Sequence, residues 1–273
     1  MRKSLTAPLW RVHNAGLAIQ TTLSNRRLDS AVDKMTIMAY SGLRFQNLGG
    51  RALRLILFSG TRNEKMLARS YAKKAGVAFF IGGVQFAIGM NLAEIYFPGY
   101  NVSTNYISDL GAYCPSLSLR GITGPCTVFQ PASDIFTASV FILGVLFLAG
   151  AYFIQKAFAW KPATSLIALT GIGALAIGFF PETTGLAHVF FSFFAFLFAG
   201  LSAIITFRLQ RPPLSYLSVI LGAVTLVAVS LIAGSTYFGL GAGGMERMVV
   251  YPVLLWFIGF GGHLMGLEDK PRV

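Results

Sequence analysis

Glu182 and His188 stand six residues apart, the acid closing one apolar run behind Pro181 and the histidine entering the next. A tight hairpin would bring them together, and a carboxylate beside an imidazole is an acid–base or proton-relay pair. A histidine that only satisfies its own hydrogen bonds at an interface is the plainer alternative. Asp109 ends a stretch, Tyr100–Gly111, dense in Asn, Ser, Thr and Tyr. It is a candidate general base or ligand, or else a cap holding a loop. Asn91 and Glu94 are three apart and Arg247 and Tyr251 four apart, so each pair shares a helix face. Glu94 lies near one end of an apolar run, where a carboxylate is costly unless paired, or snorkels to the interface. Arg247 is its natural counter-ion, as it is for Glu182 or Asp109, and it could instead hold an anionic headgroup or carboxylate. Ser108 lacks the flanking context of a nucleophile.

These residues all lie at the ends of apolar runs or in the gaps between them. The chain of 273 residues is 55% hydrophobic and 12% charged, against about 25% charged in soluble domains. Six runs are long enough to cross a hydrocarbon core of roughly 30 Å: about 75–97, 133–155, 163–181, 186–207, 214–237 and 246–267. None alternates in polarity as a β-barrel strand would. The expected fold is therefore all-α, an integral membrane bundle of six transmembrane helices. Lys156 and Lys161, Arg208 and Arg211, and Lys270 and Arg272 follow the even-numbered spans, whereas the opposite loops hold only Arg120 and Arg247. The positive-inside rule then makes both termini cytoplasmic in a cell-membrane protein. Glu94, Asp109, Asp134, Glu182 and Glu246 all fall on the outer side.

Residues 1–74 carry fourteen of the 22 Lys and Arg residues and three acids. The expected division is a basic arm over 1–70 and a transmembrane domain over 71–273 with an outer loop at 98–132. The arm reads as a lipid-facing tail, as a targeting segment, or as sequence upstream of a true start at Met66. Cys114 and Cys126, both in the outer loop and each beside a proline, favour a disulfide over two unrelated thiols. With one histidine on the outer side, a zinc site of two or three histidines is excluded; carboxylate-only binding of calcium stays open. Phosphate cradles, nucleotide-fold signatures, HExxH helices and GxSxG nucleophiles are absent. No cofactor, metal or nucleic acid is expected.

Tyr96–Tyr100 (YFPGY), Asn105–Gly111 (NYISDLG), Phe180–Glu182 (FPE) with His188, and Gly244–Pro252 (GMERMVVYP) resemble the domain-of-unknown-function 998 family. These are small polytopic membrane proteins of archaea and bacteria. The likeness covers about residues 70–268 and brings no activity. It leaves the leader unmatched, and the segment bearing Cys114 and Cys126 departs from the family pattern.

The expectation is one outward-facing polar pocket made by Asn91, Glu94, Asn105, Ser108, Asp109, Glu182, His188, Glu246, Arg247 and Tyr251. Three uses compete for it. Binding or sensing of a membrane lipid or small amphiphilic ligand asks least of the sequence. A membrane-embedded hydrolase or transferase would take Asp109 or Glu182 as base and His188 as shuttle. A proton-coupled carrier would titrate Glu94 and Glu182.

Overall fold

Thr61-Arg-Asn-Glu64 is a reciprocal helix start. The Thr61 hydroxyl accepts the Glu64 amide at 3.4 Å, and the Glu64 carboxylate accepts the Thr61 amide at 2.7 Å. Two of the amides that a helix start leaves unpaired are thereby satisfied. This cap launches α1 (Arg62–Tyr96) in the computed structural model, which describes residues 61–115, 117–118, 121–122 and 124–267. The last residues of the expected arm, Arg62–Ser70, are thus helical and continuous with the first span. Apolarity marks only the part of a helix that needs lipid, whereas Arg, Glu, Lys, Met, Leu and Ala propagate helix in water as well. The remainder of the arm, 1–60, lies outside the described residues.

Five further helices follow: α2 (Ala132–Phe158), α3 (Lys161–Phe179), α4 (Leu186–Ile205), α5 (Leu214–Ala233) and α6 (Gly241–Met265). All six are long and apolar enough to cross a membrane, which makes this a multi-pass membrane protein. Each helix packs on the next in sequence and α6 returns to α1, closing a ring. The α1–α6 seam is close because it is glycine on glycine: a methyl on Gly76 would lie 2.6 Å from the Gly261 carbonyl oxygen. Small residues at a crossing let backbones approach in this way. Between α1 and α2, the residues 97–131 form the longest described connection, and the end of the bundle that carries them is called the loop end here. A small antiparallel hairpin, β1 (Leu117–Ser118) with β2 (Gly121–Ile122), sits within it. The Tyr113–Thr127 bridge and the Cys114–Cys126 disulfide close its base.

Two layers fill the ring. Toward the end where α1 starts and α6 finishes, the terminal end of the described bundle, Phe79, Phe147, Trp256, Phe257 and Phe260 pack ring against ring, with the Phe147–Phe257 centroids 3.8 Å apart. Toward the loop end, Phe86, Met90, Phe136 and Val140 meet Ile107 and Leu110 of the loop. The mid-span amide of Gln85 finds the carbonyls of Gly82 and Ser139. Thr225 donates to the Val249 carbonyl beside Pro252, where a helical proline interrupts the backbone ladder.

Candidate functional site

Glycine decides how the loop meets α6. Residues 101–105 lie across the start of that helix, and the Ser103 carbonyl accepts the amides of Gly243 at 2.9 Å and Gly244 at 3.2 Å. A helix start needs such acceptors. The approach is so close that a methyl group on Gly243 would sit 1.9 Å from the Asn105 carbonyl oxygen. Gly241, at φ +78°, turns the chain into the helix and would likewise strike Ser103.

One turn on, Arg247 reaches up into the same strap. Nη1 donates to the carbonyls of Val102, Asn105 and Gly243, and Nη2 to Glu94 at 2.6 Å and the Tyr100 hydroxyl at 2.8 Å. The Tyr100 hydroxyl in turn donates to the Tyr106 carbonyl. The guanidinium, buried and paired with the half-buried Glu94, thus satisfies three loop or helix carbonyls as well as its counter-ion.

Behind the strap, three carboxyls are almost wholly buried: Asp109, Glu182 and Glu246. Asp109 accepts the Asn105 side-chain amide at 2.9 Å and the Tyr106 backbone amide at 3.0 Å. Glu246 caps the short 3-10 turn Ser108–Leu110, accepting the Ile107 amide. Glu182, in a second 3-10 turn between α3 and α4, accepts the Ser108 hydroxyl at 2.5 Å. Burial pushes the Glu182 carboxyl up to about 9, and the neighbouring Asp109 charge adds to the rise, outweighing the Ser108 hydrogen bond. Burial also raises Asp109, against the pull of its hydrogen bonds from Asn105 and Tyr106. The energy cost of a charge away from water dominates in both.

His188 is buried on the first turn of α4. Its Nδ1 meets the Phe180 carbonyl at 2.8 Å and its Nε2 meets the Ser192 hydroxyl at 3.3 Å. A carbonyl only accepts, so Nδ1 carries a proton, and in the neutral ring Nε2 accepts from Ser192. Ser108, Asp109, Glu182, His188 and Glu246 face one cavity of about 950 Å³. Its roof comes from the loop and its sides from α4, α5 and α6, with Leu186, Val189, Phe193, Val229 and Ile232 as apolar walls. A smaller void of about 80 Å³ lies next to it in the ring's interior; Ser108, Ser192, Phe196 and Glu246 border both.

The ten residues expected in one pocket divide into three groups. Five line the cavity. Glu94, Asn105 and Arg247 form the adjoining strap cluster, joined to the cavity through the Asn105–Asp109 hydrogen bond. Asn91 and Tyr251 belong to neither: both are exposed, and the Asn91 amide bonds back to the Ala87 carbonyl. Residues three or four apart differ by about 60° or 40° around the axis, so one can sit at the rim of the buried arc and the other outside it. His188 makes no hydrogen bond to Glu182, although both border the cavity. Sequence reading missed Tyr100, Tyr106, Tyr237 and Ser192. It also passed over the run Gly241-Ala-Gly-Gly244, whose glycines are the signal for a backbone laid against a helix. Among the described residues, no three His, Cys, Asp or Glu side chains converge to hold a metal ion.

No curated protein and no solved structure matches this chain. Residues 80–263, from the middle of α1 to the last turn of α6, match the family described as "Protein of unknown function (DUF998)". The match takes in the strap, the three buried carboxyls, His188 and Arg247, and the chain belongs to the DUF998 family.

Proposed function

We propose that this protein binds a lipid or small amphiphile in the loop-end cavity, as a sensor or scaffold of the cell membrane with both termini cytoplasmic. The cavity's composition carries the reading. Its size falls within the usual range for small-molecule sites, about 300–1,000 Å³, and its carboxyls gather at the loop end above walls that are largely apolar. Leu186, Phe190 and Phe193 border the cavity and are also strongly exposed. The walls therefore run on to the surface that acyl chains cover, a route of entry from the bilayer. The orientation rests on the basic residues of the short loops.

The test is native mass spectrometry of the full chain released from mild detergent. Wild type is expected to retain a lipid-sized adduct, and Ile232→Trp, which fills the wall, to lose it without losing thermal stability. A chain that carries no adduct, and keeps none after incubation with membrane lipid extract, overturns the reading.

A hydrolase or transferase is the second reading, and one observation favours it. Ser192, His188 and the Phe180 carbonyl are arranged as nucleophile, base and orienting acceptor on the cavity wall. Fluorophosphonate labelling of Ser192 that disappears in a folded His188→Ala variant would move the balance to it. The carrier reading gains no such support: Glu94 is committed to Arg247, and the aromatic layer fills the ring toward the terminal end.

A further inference from the structure

The cavity that the proposed function rests on is lined by three acids and no lysine or arginine. Asp109, Glu182 and Glu246 border it, and among the described residues none of the three has an ion-pair partner. The nearest guanidinium, Arg247, does not line the cavity; it faces the strap and is paired with Glu94. A second feature is independent of the acids. Tyr106 and Tyr237, their hydroxyls 3.3 Å apart, border the cavity together with Phe190, Phe193 and Phe196. Aromatic faces attract a cation through their quadrupole, more strongly away from water.

We propose that the ligand is an amphiphile with a cationic head, a protonated amine, seated under Asp109, Glu182 and Glu246 with its chain between α4 and α5. An ammonium supplies donors to the carboxyl oxygens that the protein's own hydrogen bonds leave over, and positive charge to a site that holds none. An anionic headgroup would meet three carboxyls and no lysine or arginine. A neutral alcohol would fill the walls equally well and gain nothing from the charges.

The head also couples to protons. Burial keeps the Glu182 carboxyl protonated at neutral pH. A bound ammonium favours the carboxylate, so Glu182 releases its proton to solvent as the amine seats and the two remain as an ion pair. The titratable groups around Glu182 are Asp109, Tyr106 and Tyr113 from the loop, His188 from α4, Tyr237 from the α5–α6 turn and Glu246 from α6; α5 contributes only apolar side chains and Ser235 lies beyond it.

The experiment is calorimetric titration of the full chain in zwitterionic-lipid nanodiscs, with empty nanodiscs subtracted. The probes share one chain: dodecylammonium, dodecanol and dodecanoate. Dodecylammonium is expected to bind about tenfold or more tighter than either other probe, a difference readily separated in such a titration. Buffers of different ionisation enthalpy are expected to show proton release near neutral pH. Glu182→Gln should lose most of the preference for dodecylammonium over dodecanol. Dodecanol or dodecanoate binding as tightly as dodecylammonium to wild type overturns the cationic head and leaves the amphiphile reading standing. No saturable binding of any probe overturns both. The wild-type comparison decides the question even where the variant fails to fold.

Discussion

Arg247 holds together pieces of chain that are remote in sequence, which is why its loss should exceed that of an ordinary ion pair. Arg247→Ala leaves the half-buried Glu94 without its counter-ion and strips donors from the carbonyls of Val102, Asn105 and Gly243. Removing one partner of a buried pair costs about 3–5 kcal/mol, so the melting temperature in detergent should fall sharply. Arg247→Gln is expected to recover little, because it offers one amide where several donors are needed. Glu182 gives the site a pH dependence of definite sign. Its carboxyl is raised in the folded protein to about 9 from 4.5, so between those values the native state holds a proton that the unfolded chain has lost. Stability then falls as pH rises from about 5 to about 9 and levels off beyond. Asp109, also raised, acts in the same sense. Thermal melts across that range should show the decline in wild type and a much flatter profile in Glu182→Gln. A flat wild-type profile would mean that the carboxyl is ionised in the native state. The sequence already placed Glu94, Asp109, Glu182, Glu246 and Arg247 on one side, since each sits at a span's end or in the outer loop. Hydrophobicity carries depth well but azimuth poorly, and Asn91 and Tyr251 fall outside the site for that reason.

At the level of elements, the strap over α6 depends on the absence of side chains. Gly243→Ala drives a methyl into the Asn105 backbone carbonyl, which is not a flexible end that can swing aside. Overpacking of this kind costs about 1–3 kcal/mol, and here it should also lift residues 101–105. Limited proteolysis of the loop, run beside thermal melts, reads both effects. Gly262 in the same helix is the control, since nothing lies within 4 Å of its added methyl. Gly262→Ala should be neutral or stabilising by up to about 1 kcal/mol. The disulfide belongs to this scale too. Cys114 borders the cavity, and the Cys114–Cys126 bridge spans twelve positions. Replacing both cysteines by serine should cost on the order of 3 kcal/mol through the freed loop, seen as a lower melting temperature under non-reducing conditions. The helices α2 to α5 follow the apolar runs to within a few residues, because lipid and packing demand the same side chains there. The beginnings of α1 and α6 do not. One starts on a polar capping box and the other on glycines chosen for contact with a loop, neither of which hydropathy registers.

The described ring has an even number of spans, so the start of α1 and the end of α6 share a side, and which side is open to a direct argument. Lys156, Lys161, Arg208 and Arg211 lie in or beside the short α2–α3 and α4–α5 turns, at the end where α1 starts and α6 ends. Lys and Arg in short loops are retained on the cytoplasmic face. At the loop end the described base is Arg247, which is buried and neutralised by Glu94, so it exerts little pull on orientation. The disulfide gives a second line of reasoning, because such bonds persist in oxidising compartments and Cys114 and Cys126 both belong to the loop end. The two arguments use different residues and different physics, and both support the orientation proposed above, with the loop end outward. Thr183, exposed in the α3–α4 turn, and Lys161, exposed at the start of α3, sit at opposite ends of one helix. With the native cysteines bonded, Thr183→Cys should react with a membrane-impermeant maleimide on intact cells. Lys161→Cys should react only after the membrane is opened. The reverse pattern would turn the protein over, place the acid-lined cavity toward the cytoplasm, and set the loop charges and the disulfide against the observed insertion.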